Sequence, residues 1–309
     1  MPSFSAQVRQ ELTKVRLRSP AAKRAQLAGM THAAGVLTLG RSAGVQYVSE
    51  TPEVATQIEK LASALYDVAI VQSLRVAEHR KRPLYVVAIS GVGCEALLAD
   101  AGVLVQTDLG VELSQIPSEA LFETPEARRA FLRGAFLGAG SVSDPGRTYH
   151  LEIVCQDVHL ANTLMTLLSE FDCPAKTVCR KQKYVVYLKD GDRISSFLAL
   201  LGASTSTLRF EQTRTEKDLR NYINRTSNCE TANIGKTVNA AGDQVDAIKK
   251  ILADPFAVKR LSPLLRETAE LRLNNPQMNL LELAQLANVG KSGMNHRLQR
   301  LLQIARELP

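Results

Sequence analysis

The chain has 309 residues, 45% hydrophobic and 22% charged, with a formal net charge of +7. That composition excludes a largely disordered chain and supplies apolar material for about two domains, while no run of about 18 apolar residues predicts a membrane span. A basic balance favours a polyanionic partner, and the lack of Trp with only 5% aromatics argues against an RNA-stacking surface.

The charge is uneven. Residues 1–203 hold 22 Lys+Arg and 20 Asp+Glu; residues 204–309 hold 16 and 11, so the last third carries most of the excess. The start of the chain, MPSFSAQVRQELTKVRLR, has no apolar h-region, so a cytoplasmic location is expected. The cysteines, Cys94, Cys155, Cys173, Cys179 and Cys229, show no CxxC spacing and read as free buried thiols in a reducing compartment. No cofactor and no metal site are expected.

The first two thirds contain an internal duplication. One copy opens RAQLAGMTHAAGVLTLG (24–40), the other RAFLRGAFLGAGSVSDP (129–145). In the first copy a β-prone stretch follows the opening helix. Then come a strand over Val45–Ser49, a helix over Pro52–Val68, strands over Ser73–Ala77 and Leu84–Ile89, and a helix near Cys94–Leu98. The second copy repeats this as a β-prone stretch, a strand over His150–Cys155, a helix over Ala161–Phe171, strands over Ala175–Cys179 and Tyr184–Leu188, and a helix over Arg193–Leu201. Each copy therefore reads α-β-β-α-β-β-α. In the opening helices Gly29 and Ala33 lie four apart, as do Gly134 and Gly138, so each pair shares a face. A helical glycine costs about 1 kcal/mol relative to alanine. Close packing of the two helices across a pseudo-two-fold axis would offset that cost.

LAGMTHAAG (27–35) and LRGAFLGAG (132–140) resemble the two LAGLIDADG motifs of single-chain homing endonucleases. The resemblance implies two packed helices between two saddle-shaped sheets. In those enzymes the last acidic residue of each motif holds catalytic divalent metal. Here Ala34 and Ala139 stand at those positions, and His32 and Leu137 at the earlier, less essential acidic ones. Metal-assisted phosphodiester cleavage needs carboxylate oxygens around hard cations, so no catalytic residue is assigned. Glu50 and Asp144 lie nearby but outside the motif positions. His32 reads as a satisfied structural histidine.

Residues 204–235 are polar, with Arg209, Arg214, Lys217, Arg220 and Arg225, and read as a linker in which Thr213–Ile223 can be a bridging helix or simply a solvated face. From Lys236 apolar residues return at helical spacing, with Val238, Ala241, Val245, Ile248 and Ile251 on one face up to Pro255. Ser262-Pro263 starts a helix expected to bury Leu264, Leu265, Thr268 and Leu271, ending near Asn274.

The sharpest local signal is a helix-turn-helix pattern over about Asn275–Leu308. Asn279 and Glu282 form a capping-box pair. Leu280, Leu283, Ala284 and Ala287 make one apolar face, Asn288-Val289-Gly290 the turn, and Gly290 the cap of a second helix that buries Met294, Leu298, Leu301 and Leu302. Lys291, Ser292, Asn295, His296, Arg297, Gln299 and Arg300 remain outside, donor-rich, with no carboxylate before Glu307. A recognition helix carries such residues into the major groove, Arg297 and Arg300 towards guanine or phosphate and Asn295 towards adenine. A helical hairpin with a solvated basic face is the plain alternative.

The acid-free LAGLIDADG-like pair, then NRTSNCETANIGKTVNAAGDQ, then LRLNNPQMNLLELAQLANVGKSGMNHRL, closely resembles the WhiA family nearly end to end. The resemblance implies a non-enzymatic transcription factor tied to sporulation, cell division and chromosome segregation, with a WhiB-type regulator as co-activator in some members. The expected architecture is an α+β, duplicated LAGLIDADG-like domain over 1–203 (repeats about 20–105 and 125–203), a polar linker over 204–235, and an all-α helix-turn-helix domain over 236–309. The expected partner is double-stranded DNA. The rival readings are a residual homing-type endonuclease and a protein-interaction scaffold. Arg41, Arg75, Lys181 and Lys183 give the first domain only scattered cations for DNA.

Overall fold

The computed structural model describes residues 2–39, 43–76 and 83–308. The chain divides into two compact units, Met1–Lys217 and Asp218–Pro309. In the first unit, α1 (Phe4–Leu12) precedes the duplication, where the sequence predicts no element; Phe4, Val8 and Leu12, four apart, form its buried face. The first copy then runs α2 (Pro20–Ala34), β1 (Val36–Leu39), β2 (Ala43–Ser49), α3 (Pro52–Leu65), β3 (Ala69–Arg75), β4 (Leu84–Ser90) and α4 (Val92–Asp100). A ribbon of β5 (Leu104–Thr107) and β6 (Gly110–Leu113) and a 3-10 turn at Glu119–Phe122 connect it to the second copy. That copy runs α5 (Pro125–Ala139), β7 (Gly140–Val142), β8 (Leu151–Cys155), α6 (Val158–Glu170), β9 (Lys176–Arg180), β10 (Lys183–Leu188) and α7 (Gly191–Leu201).

Both copies have the expected α-β-β-α-β-β-α order, and both sheets are antiparallel with matching strand orders, β1-β2-β4-β3 and β7-β8-β10-β9. The helices α2 and α5 start alike. Ser19 and Thr124 accept a hydrogen bond from the backbone amide three residues on, each at 3.2 Å, and each is followed by a proline at the first helical position. Several boundaries differ from the sequence reading. The helix from Pro52 stops at Leu65, and the strand placed at Ser73–Ala77 is Ala69–Arg75, because its ladder with β4 runs from Ala69↔Ser90 to Arg75↔Leu84. Ala77 lies outside the described residues, as do Gly40 and Arg41.

The glycines explain how α2 and α5 meet. A Cβ at Gly29 would run into the Phe131 carbonyl oxygen and lie 2.9 Å from the Ala135 nitrogen. One at Gly134 would strike the Gln26 carbonyl oxygen and lie 3.1 Å from the Met30 nitrogen. A Cβ at Gly138 would meet the Ala33 Cβ at 3.0 Å. Backbone meets backbone along this seam, and both helices are buried along most of their length. Arg133 of α5 lies inside, donating from Nε to the Leu201 carbonyl at 2.6 Å and from a terminal nitrogen to Gln26 Oε1 at 3.1 Å. Burial pushes its pKa down to about 10, so it stays charged at neutral pH.

The segment expected to be a linker over 204–235 is helical, part of α8 (Ser204–Ala253). Its start belongs to the first unit. Glu11 of α1 accepts from the backbone amides of Thr205 (2.6 Å) and Ser206 (2.8 Å) and from the Ser206 hydroxyl (2.6 Å), satisfying the open amides of the α8 start. Those bonds hold Glu11 below the ordinary carboxylate value although burial works the other way. Phe210 is fully buried, against Phe4 and Tyr149. Arg209 donates to Gln7, Arg214 pairs with Asp192, and Lys217 lies 4.8 Å over the Tyr149 ring. Those three cations bind α8 to the first unit, which is why the compact units part at 217/218 and not at 203. Arg220 and Arg225 are exposed.

In the second unit, the rest of α8 is followed by α9 (Pro255–Arg260), α10 (Pro263–Asn274), α11 (Leu280–Leu286) and α12 (Lys291–Glu307). Ile248, Ile251, Leu261, Ala269, Leu283, Met294, Leu298 and Leu301 form its core. Val238 is exposed, unlike the rest of its predicted stripe. The predicted buried face of α10 also shifts: Leu264 is exposed, and Thr268, Ala269 and Arg272 are buried. Arg272 turns inward because it donates to the Met278 carbonyl at 2.7 Å, holding the segment that leads to α11. Of the five cysteines, Cys179 and Cys229 are exposed and the other three buried, correcting the expectation that all lie inside.

The seam gives opposite signs for two Gly→Ala substitutions. Gly134→Ala should destabilise the chain by about 1–3 kcal/mol through overpacking. Gly242→Ala, with nothing within 4 Å of the added methyl, should be neutral or stabilising by up to about 1 kcal/mol. Urea unfolding of both variants checks this.

Candidate nucleic-acid interface

The second unit builds its exposed face from the turn outward. Asn279 starts α11 with a complete capping box: its side chain accepts from the amides of Leu281 (2.9 Å) and Glu282 (3.1 Å), and Glu282 accepts from the Asn279 amide at 2.7 Å. Leu283 and Ala284 are buried where α11 packs on α12. The turn is made by Asn288, at φ +51°, a left-handed conformation that asparagine tolerates. Val289 donates to the Ala284 carbonyl at 2.9 Å. Gly290 sits at the N-cap of α12 with φ −70°, so the corner needs no glycine conformation there. The first-turn amides of α12 receive no side-chain cap.

On α12, Met294, Leu298 and Leu301 are buried as expected; the fourth inward residue is Ala305, and Leu302 is half-buried. Lys291, Ser292, Asn295, His296, Gln299 and Arg300 are exposed, and Arg297 is half-buried. Ser292, His296, Gln299 and Gln303 follow one another at helical spacing opposite the buried stripe, with Asn295 and Arg300 beside them. Arg300 donates to Gln303 at 2.7 Å, and Gln303 to Glu307 at 3.2 Å, which steadies the far end of the face. Ser262, Leu264 and Leu265 border a shallow groove with Ser292, His296, Arg297 and Arg300. Leu264, misassigned to the core by its spacing, therefore lies beside the donor face. The arrangement presents hydroxyl, amide, imidazole and guanidinium donors on one rigid helix, with no carboxylate among them.

The first unit carries a second candidate site, where its two motifs end. Ala34 is the last residue of α2 and Ala139 the last of α5. The ends meet closely: a methyl at Gly138 would lie 3.3 Å from the Ala34 Cβ. Methyl groups stand where carboxylates would be needed, and among the described residues no group of three His, Cys, Asp or Glu is placed to hold a metal ion. Asp144 accepts from the Gly146 amide at 2.8 Å, closing its own turn. The end of α5 is held instead by α1, where Arg9 donates to the Gly140 carbonyl and Ser5 accepts from the Val142 amide at 3.3 Å. Arg75, Lys181 and Lys183 are exposed on the strands and turns of the two sheets.

His32 is buried, with Nε2 at 2.8 Å from the Ala101 carbonyl oxygen. Nε2 is thus the protonated donor. Burial holds its pKa below the ordinary imidazole value, while the bond to Ala101 works in the opposite direction. This is the structural histidine that the sequence predicts.

A duplicated LAGLIDADG-type domain without its acids, followed by a helix-turn-helix domain, defines the class of this protein. Known proteins show the same pair: the WhiA LAGLIDADG-like domain matches residues 128–220, and the WhiA C-terminal HTH domain matches residues 223–305. The chain is 39% identical over 98% of its length to the probable cell division protein WhiA of Alkaliphilus metalliredigens, covering 97% of that protein. It is 37% identical over 99% of its length to that of Clostridium tetani, covering 98%. The crystal structure of full-length DUF199/WhiA from Thermatoga maritima has the same fold, with a TM-score of 0.61 at 23% identity over 100% of this chain and 99% of that one. The chain belongs to the WhiA family. Among the described residues no helix is long and apolar enough to cross a membrane.

The folded-state pKa of His32 lies below its unfolded value of about 6.5. As pH falls through that value the unfolded chain takes up a proton that the folded chain resists, so this contribution to stability is present above it and lost towards acid. His32→Gln keeps an N–H for Ala101 and cannot titrate. Its melting temperature should fall less than the wild type's between about pH 7.5 and pH 5.5, as read by calorimetry at both values.

Proposed function

We propose that this chain is a non-enzymatic, sequence-specific DNA-binding regulator that serves cell division. The observation that carries the reading is α12: a rigid helix after a tight turn, with Asn295, His296, Gln299 and Arg300 exposed together and no acid before Glu307. Its free first-turn amides and positive dipole end favour phosphate, while its side chains can reach base edges. Arg300 and Asn295 are the residues for direct base readout. Lys291, Ser292, His296, Arg297 and Gln299 supply phosphate and further groove contacts. The role in cell division is supported by relatives named as probable cell division proteins and similar over nearly the whole chain. The family resemblance adds chromosome segregation and sporulation as further processes, a WhiB-type regulator as partner, and a cytoplasmic, nucleoid-associated location.

Against the endonuclease reading stand Ala34 and Ala139, since neither can ligate a hard cation. Plasmid DNA incubated with the chain and Mg2+ should remain intact. Cleavage that persists through purification and disappears on mutating the ends of α2 and α5 would restore that reading.

DNA fragments recovered by chromatin immunoprecipitation supply the probe for gel shifts. Asn295→Ala and Arg300→Ala should each weaken specific binding by about 1–3 kcal/mol and relax preference at one base position. Lys291→Ala should weaken all duplexes alike and reduce the salt slope by about one. Specific affinity untouched by the first two substitutions would remove α12 as the reading helix.

A further inference from the structure

The β5–β6 ribbon belongs to the first copy alone; in the second, α7 leads into α8 instead. It contributes little to the core. Val105, Leu109, Val111, Leu113 and Ile116 are all exposed, Leu109 at the turn by 92%. An isolated two-stranded ribbon is marginal in water and has unpaired edges on both sides. Clustered exposed aliphatics on such an appendage mark an interaction surface.

Between the ribbon and α4 runs a groove lined by Glu95, Ala96, Ala99, Leu104, Gln106 and Val111. The alanines of α4 leave room for a chain to approach, and Leu104 and Val111 give it an apolar wall. Glu95 is its one charged lining residue, and the stretch of chain that forms most of it is opposite in charge to the rest of the molecule. Residues 83–127 contain seven carboxylates and no Lys, Arg or His, in a chain of net charge +7. Asp100 is already engaged by Arg24 at 3.9 Å and by the Tyr66 hydroxyl at 2.7 Å. Glu95 in the groove and Asp108 at the ribbon turn are exposed, as is Glu112 on the ribbon's other face.

We propose that this groove docks an extended segment of a partner protein that carries aliphatic side chains together with Lys or Arg. The acidic run repels phosphate, so duplex DNA is the wrong occupant. A second copy is disfavoured too, because a two-fold contact would set the same carboxylates against each other. A basic, aliphatic segment matches both the wall and the charge. The groove belongs to the first unit, whereas α12 belongs to the second.

A random-peptide phage library selected on the immobilised full-length chain tests this. The selected peptides should combine Lys or Arg with Val, Ile or Leu. Synthetic versions followed by fluorescence anisotropy should bind at least about tenfold more weakly to Ala99→Arg and Glu95→Lys, and equally well to Arg300→Ala. Both groove positions are exposed, so thermal melting should show the variants folded, and gel shifts should show their DNA binding unchanged. No enriched peptides, enrichment without basic residues, or binding that survives both groove substitutions would overturn the proposal. Loss of DNA binding in Arg300→Ala alone would leave it standing.

Discussion

Two glycines let the backbones of α2 and α5 touch, Gly29 beneath the Phe131 carbonyl and Gly134 beneath the Gln26 carbonyl, and the first unit is arranged around that contact. With the two helices at backbone distance, Arg133 can bridge Gln26 and the end of α7, Thr31 can bond the buried Tyr47 hydroxyl at 2.8 Å, and both sheets can pack on one continuous core. The same closeness brings Ala34 and the end of α5 together. Methyl groups, not carboxylates, stand at that junction.

Charge is unevenly distributed along the chain. The exposed donors on α12 all precede its one acid, Glu307, whereas the acidic run from 83 to 127 spans α4, the β5–β6 ribbon, the 3-10 turn and the start of α5. Duplex DNA is a dense line of negative charge, so a protein that binds it must keep its carboxylates away from the reading face.

The duplication was legible because it is local and periodic: small residues four apart, then alternating strands, then 3.6-residue stripes. The capping box at Asn279 and Glu282 and the burial of Met294, Leu298 and Leu301 were legible for the same reason. What was hidden depends on long-range partners. Glu11 caps α8 across nearly two hundred residues of chain, and Phe210 becomes core only because α1 supplies Phe4. Without those contacts 204–217 reads as polar linker. Arg272 and Leu264 exchange the places their hydropathy suggests, because the Met278 carbonyl accepts a hydrogen bond from the arginine inside. The left-handed residue of the turn is Asn288 and not Gly290, two residues on, a choice between two tolerant residues that sequence alone leaves open.

The most direct measurement is the structure of the full chain bound to one of its own chromosomal sites in the presence of Mg2+. The account predicts α12 in the major groove, Asn295 and Arg300 against base edges, an intact duplex, and no metal between Ala34 and Ala139. A complex with α12 turned from the DNA, or with metal seated at the junction of α2 and α5, would contradict it.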